Sequence, residues 1–190
     1  MKNIVIVLLL ISSEAFTQET QSQKGKIYYF FAINSGMLAG DKAKSITYTA
    51  NTVHGVTLGD RLRVGAGAGL DTYQGWQTIP LFGQVTYDLI GTKNVVFVQL
   101  NYGWAHAWMQ KQQWSPPTTE HGGRMFNSMI GYRISTGNVR LYAAAGYKFQ
   151  SVSSWYDFSN DQPGRYFYGR TEKTELNFER VMITIGVGWK

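Results

Sequence analysis

The side chains able to do chemistry are few and scattered. The three histidines stand in His54-Gly55-Val56, His106-Ala107-Trp108 and His121-Gly122-Gly123. They lie far apart, without partners at the spacing of a metal cluster. There is no cysteine, which removes disulfides, thiolate sites and thiol nucleophiles. Asp157, Ser159 and Asp161, with His121, carry the residue types of a composite hydrolytic site. A nucleophile needs its base within about 3 Å, and nothing in the spacing fixes that geometry. Asp157, Asn160 and Asp161 offer oxygen ligands of the kind calcium takes. Asn160-Asp161-Gln162-Pro163-Gly164 reads better as a turn. The sequence therefore predicts no catalytic residue, no cofactor and no metal site.

What remains is ionic. Arg63, Asp88 and Arg133 fall in otherwise apolar or small-residue surroundings, and their meaning depends on which way each side chain points. Apolar and polar residues alternate around them. In Leu141-Tyr142-Ala143-Ala144-Ala145-Gly146-Tyr147-Lys148-Phe149-Gln150, one face takes Leu141, Ala143, Ala145, Tyr147 and Phe149. The other takes Tyr142, Ala144, Gly146, Lys148 and Gln150. This is the period of a strand. An apolar outer row over a small or polar inner row suits a barrel in lipid.

The pattern recurs and predicts strands over 26–35, 45–54, 61–72, 79–90, 95–107, 123–134, 139–150 and 175–189. Helical spacing is not sustained after the first residues. The links 55–60, 91–94 and 135–138 are short and rich in Gly, Asn, Asp and Ser. On the other side, 108–122 and 151–174 are long, while 73–78 is short. Short turns at one end and longer loops at the other are the habit of membrane barrels. The fold class is thus all-β, an eight-stranded antiparallel up-and-down transmembrane β-barrel, with a single domain over 26–190.

The start of the chain reads as a leader. A basic Met1-Lys2-Asn3 precedes an apolar run, and Ala15 and Thr17 offer small residues at an exit. This predicts a signal peptide over 1–17, since the run falls short of the about 20 apolar residues of a spanning helix. The polar stretch 18–25 is expected to be disordered. The formal net charge is +6. Its Lys and Arg are dispersed, which fits surface charge and lipid phosphate contacts and not nucleic acid.

Parity gives each side chain a direction. Leu62, Val64, Ala66, Ala68 and Leu70 should face out, and Arg63, Gly65, Gly67, Gly69 and Asp71 in. Ile79, Leu81, Val85, Tyr87 and Leu89 oppose Phe82, Gln84, Thr86 and Asp88. Val96, Val98, Leu100, Tyr102 and Trp104 oppose Gln99, Asn101 and Gly103. Val181, Ile183, Ile185, Val187 and Trp189 oppose Met182, Thr184, Gly186 and Gly188. Symmetric folding about 73–78 sets Arg63 opposite Asp88, with Arg133 at the same level. The three form a predicted polar cluster in the lumen, structural in role, with a gate as the functional alternative. Eight strands enclose a space about wide enough for side chains to fill, which predicts a plugged lumen. Tyr28, Tyr29, Tyr48, Trp76, Tyr87, Tyr102, Trp104, Tyr132, Tyr147 and Trp189 recur near strand ends, the outward ones as interfacial girdles.

The run Val64-Gly65-Ala66-Gly67-Ala68-Gly69-Leu70-Asp71-Thr72-Tyr73, with Ile79-Pro80-Leu81-Phe82, resembles small outer-membrane β-barrel proteins of Gram-negative bacteria, sometimes labelled porin-like. Gly122-Gly123-Arg124-Met125-Phe126-Asn127 and Gly146-Tyr147-Lys148-Phe149-Gln150 add to the likeness, which covers nearly all of the chain after the leader. The resemblance implies the cell outer membrane as location. It implies outer-membrane lipid, lipopolysaccharide and the barrel-assembly machinery as partners. Such families favour an aromatic last residue; here Trp189 is penultimate and Lys190 follows. Lipid A deacylases of this shape carry a His and a Ser two residues apart, and none of the three histidines has that Ser. The expected role is structural or surface-interactive, without catalysis. Trp155, Tyr156, Phe158, Tyr166, Phe167 and Tyr168 form a candidate surface-binding loop. The main alternative is a soluble periplasmic lipocalin-like barrel, which would put its apolar row inside around an apolar ligand.

Overall fold

The computed structural model describes residues 27–40, 43–73, 75–109, 118–157 and 171–190. The predicted leader and the polar segment after it lie outside these. The chain forms β1 (Ile27–Gly40), β2 (Ala43–Leu58), β3 (Leu62–Tyr73), β4 (Trp76–Ile90), β5 (Asn94–Met109), β6 (Thr118–Thr136), β7 (Val139–Asp157) and β8 (Thr171–Trp189). Each strand pairs antiparallel with the next. The sheet closes where β8 meets β1, from Phe31 opposite Trp189 to Ala39 opposite Val181. The protein is an all-β, closed, eight-stranded up-and-down barrel.

Side-chain direction follows the alternation. On β4, Thr78, Phe82, Gln84, Thr86 and Asp88 are buried, and Ile79, Leu81, Val85, Tyr87 and Leu89 are exposed. On β8, Met182 and Thr184 are buried while Val181, Ile183 and Ile185 stand exposed. The apolar outer row is bounded. It runs from Val181 to Trp189 on β8 and from Val96 to Trp104 on β5. These lengths match the about 9–11 residues of a tilted strand crossing hydrocarbon. Beyond Val181 the outward positions become Glu179, Asn177, Glu175 and Lys173, all exposed. Arg124, opposite Trp104, marks the same boundary on β6. Outward aromatics gather toward the two edges, with Tyr29, Tyr87 and Tyr132 nearer the termini and Tyr48, Tyr102, Trp104 and Tyr147 farther away.

The strands are longer than the apolar alternation predicts. β6, β7 and β8 each span 19 residues, and much of 108–122 and 151–174 is strand instead of link. The hairpin continues through Ser153 opposite Glu175 and Trp155 opposite Lys173. There both faces carry polar residues, so pairing persists after the amphipathic signal has faded. The far end is also less loop-rich than expected. Only 41–42 separate β1 from β2, and only 74–75 separate β3 from β4. The second of these turns needs Gly75, whose φ of 74° lies in the left-handed region.

This tight turn corrects the predicted register. Tyr73 pairs with Trp76, so Arg63 faces Thr86 and not Asp88. The shift is by two residues, which preserves parity, and Asp88 stays on the inner face. Trp76, one of the strand-end aromatics whose direction the sequence left open, points inward and is buried with Leu38, Tyr73, Ala107, Val152 and Met182. A second inner cluster joins Phe30, Val53, Phe82 and Met125, and a third joins Val95, Phe97 and Ala144.

One close approach is tied to a glycine. Gly67 pairs with Phe82, and a Cβ on Gly67 would stand 2.6 Å from Phe82 Cζ and 2.6 Å from the Thr52 carbonyl oxygen. Gly67→Ala is expected to destabilise the barrel by about 1–3 kcal/mol through overpacking. Phe82→Leu in the same chain should recover part of the loss. Denaturant titration of the refolded protein measures both.

Candidate functional site

The lumen, and not a surface cleft, brings the ionisable groups together. β3, β4 and β6 each end or begin near the termini end of the barrel, and their inward positions there are Arg63, Asp88 and Arg133. Arg63 Nη2 donates to Asp88 Oδ1 at 2.9 Å. Arg133 Nη2 donates to Asp88 Oδ2. One carboxylate thus bridges two guanidiniums, and all three side chains are buried. The ring of Phe97 lies beneath both cations, 5.7 Å from Arg63 Cζ and 5.8 Å from Arg133 Cζ. A cation over a desolvated aromatic face gains about 2 kcal/mol or more at best, so Phe97 supplements the single carboxylate.

Sequence reasoning missed the second ionic centre. Lys148 Nζ donates to Asp71 Oδ2 at 2.6 Å, and Thr49 Oγ1 donates to Asp71 Oδ1 at 2.6 Å. The Lys148 and Asp71 side chains are 4% and 1% exposed, so this pair is fully withdrawn from water. β3 and β7 stand on opposite walls, and the pair crosses the lumen. Parity alone put both residues inside; their meeting required closure of the barrel. Around these centres Tyr142 donates its hydroxyl proton to Asn34 Oδ1, and Asn34 Nδ2 donates to Asn51 Oδ1 at 2.6 Å. Arg140 was also missed. It lines a small cavity of about 20 Å³ together with Arg63, Arg133, Gln84, Phe97 and Tyr142.

No comparable assembly surrounds the histidines. His54 points outward, where Nδ1 and the Tyr29 hydroxyl hydrogen-bond at 2.5 Å and the ring packs 4.7 Å from that of Phe31. His106 is likewise exposed, beside Trp108. Among the described residues no group of three or more His, Asp or Glu converges on a point that could hold a metal ion. Of the candidate surface-binding aromatics, Trp155 sits on the projecting β7 strand, half exposed, with Lys173 Nζ 5.5 Å above its ring. Tyr156 lies on the same strand, and its side chain is outside the described set. Phe158, Tyr166, Phe167 and Tyr168 lie outside the described residues, as do Ser159, Asn160 and Asp161.

With this geometry in view, the comparisons with known proteins are informative at the level of fold. No family model matches the sequence, and no curated protein matches it. Among solved structures, the barrel resembles Neisserial surface protein A. The two share 14% identity with a TM-score of 0.57, covering 87% of this chain and 99% of that one. At such identity the likeness is one of architecture: a whole barrel matches a whole barrel, and no residue role transfers.

The bridging carboxylate makes a definite prediction. Asp88→Asn leaves Arg63 and Arg133 buried without their counter-charge, which should cost about 3–5 kcal/mol. Urea unfolding of the refolded barrel is the measurement, with Arg61→Gln, at an exposed turn position, as the neutral control.

Proposed function

We propose that this protein is an outer-membrane β-barrel with a structural or surface-interaction role and no catalysis. The observation that carries this reading is the bounded apolar belt. Side chains such as Leu81, Leu100, Ile130, Leu141, Ile183 and Ile185 are exposed on the outer face, while Asp71, Asp88, Asn101, Lys148 and Gln150 are buried within. Water would expose a contiguous apolar surface far larger than soluble monomers carry, whereas lipid covers it at no cost. A lipocalin-like carrier would need the reverse, with its ligand against an apolar interior. The resemblance in fold to Neisserial surface protein A supports the reading of a surface barrel.

In this reading residues 1–17 are a leader removed on export. The barrel then meets outer-membrane lipid and lipopolysaccharide, and the barrel-assembly machinery inserts it. The ion pairs and apolar clusters close the lumen to large solutes. The tall β6–β7–β8 wall is the part suited to meet a partner. A strand of 19 residues is on the order of 60 Å long, roughly twice what a tilted strand needs to cross the apolar band. The excess lifts Trp155 and its neighbours clear of the belt. A lipid A-modifying enzyme is disfavoured, because none of the three histidines has a serine two residues away in the sequence.

Ile185 lies mid-belt and is 66% exposed. Ile185→Arg should lower stability in lipid by about 2–4 kcal/mol. On a water-facing surface the same change stays within about 0.5 kcal/mol. The unmutated protein should fractionate with the outer membrane and change gel mobility on boiling. A soluble periplasmic fraction with no such shift would overturn the reading.

A further inference from the structure

The termini end of the lumen holds more positive charge than its carboxylate balances. Arg63, Arg133 and Arg140 line one cavity with Gln84, Thr86 and Gln99. Asp88 is engaged at both oxygens, by Arg63 on one and Arg133 on the other. The other fully buried carboxylate among the described residues, Asp71, is already held by Lys148 and Thr49. Arg140 therefore adds a third guanidinium where one carboxylate serves two.

The unmade hydrogen bonds point the same way. Arg63 Nε, Arg133 Nε, Arg133 Nη1 and Arg140 Nη1 are buried and have no acceptor. The one unpartnered acceptor on the same wall is Gln84 Oε1. Arg133 is only 4% exposed. A buried polar group left without a partner is costly, and more so when charged. A surplus of donors, all carrying positive charge, calls for an acceptor that is itself negative. Water would satisfy the geometry but leave the charge.

We propose that this cavity is a binding site for one small inorganic anion of halide size, held by the guanidiniums of Arg133 and Arg140. Size selects the ligand class. A cavity of about 20 Å³ admits one or two water-sized bodies, since about 10–15 Å³ accommodates a single water. A monatomic anion such as chloride suits this space better than a tetrahedral oxyanion with its four oxygens. The anion neutralises Arg140 and completes the ionic layer above Phe97. The site lies within the lumen and does not depend on what surrounds the barrel.

Bromide is the probe. Crystals of the intact barrel soaked in sodium bromide should show one anomalous peak in the cavity, within hydrogen-bond distance of Arg133 and Arg140. In micelles, the thermal midpoint should rise with bromide and saturate, relative to gluconate at equal ionic strength. Gln84→Glu places a carboxylate on the same wall with almost no change in volume. In that variant the peak should disappear and the two salts should give the same midpoint. A cavity without an anomalous peak at saturating bromide overturns the proposal. So does a Gln84→Glu barrel whose bromide response equals that of the unmutated protein.

Discussion

Everything in this molecule depends on the seam between β1 and β8. Phe31 to Ala39 pairs with Trp189 back to Val181, and that single additional ladder turns a sheet with two open edges into one with none. An open edge presents a row of unpaired N–H and C=O groups, which lipid cannot satisfy. Closure also gives parity its physical content. Before closure the two faces of the sheet are equivalent; afterwards one is a confined interior and the other a continuous exterior. The same β8 segment that forms the seam carries Val181, Ile183 and Ile185 on the outside, so backbone pairing and the apolar belt are specified by one stretch of chain.

Confinement then governs the chemistry within. Charges pressed into a narrow lumen cannot keep their water, so each must find a partner on another wall. Asp88 draws Arg63 from its neighbour β3 and Arg133 from β6, and Asp71 draws Lys148 from the opposite wall. The Asp88–Arg133 and Asp71–Lys148 contacts tie strands that share no ladder. Between them the large apolar side chains Phe30, Phe82 and Phe97 fill volume that Gly55, Gly67 and Gly131 on adjacent strands leave open. The interior is therefore mixed: apolar packing fixes its volume, and ion pairs fix which walls face each other.

How much of this was legible in the residues varies with the kind of order involved. Direction was legible, because a period of two needs only local sequence; the inward placement of Arg63, Asp71, Asp88 and Gln99 follows from it. Register was not, because a slip of two residues preserves every face. The turn at Gly75, tighter than the predicted link, moved Arg63 opposite Thr86 without altering any assignment to inside or outside. Strand length was hidden where the outward residues turn polar, as at Ser151 and Ser153 on β7 and Lys173 on β8. The direction of Trp76 was not legible, because it fell within the predicted link 73–78, where no parity is assigned. The Lys148–Asp71 contact is absent from any local window, since those residues meet only across a closed barrel.

The central claim is that the apolar row faces lipid and the polar row faces a confined lumen. The chain has no cysteine, so single cysteines introduced from Val181 to Gly188 can each carry a spin label without background. In lipid vesicles, collision with dissolved oxygen should be high at Val181, Ile183, Ile185 and Val187. It should be low at Met182, Thr184, Gly186 and Gly188. Equal oxygen access at consecutive positions, or a maximum on the Met182 and Thr184 row, would contradict the account.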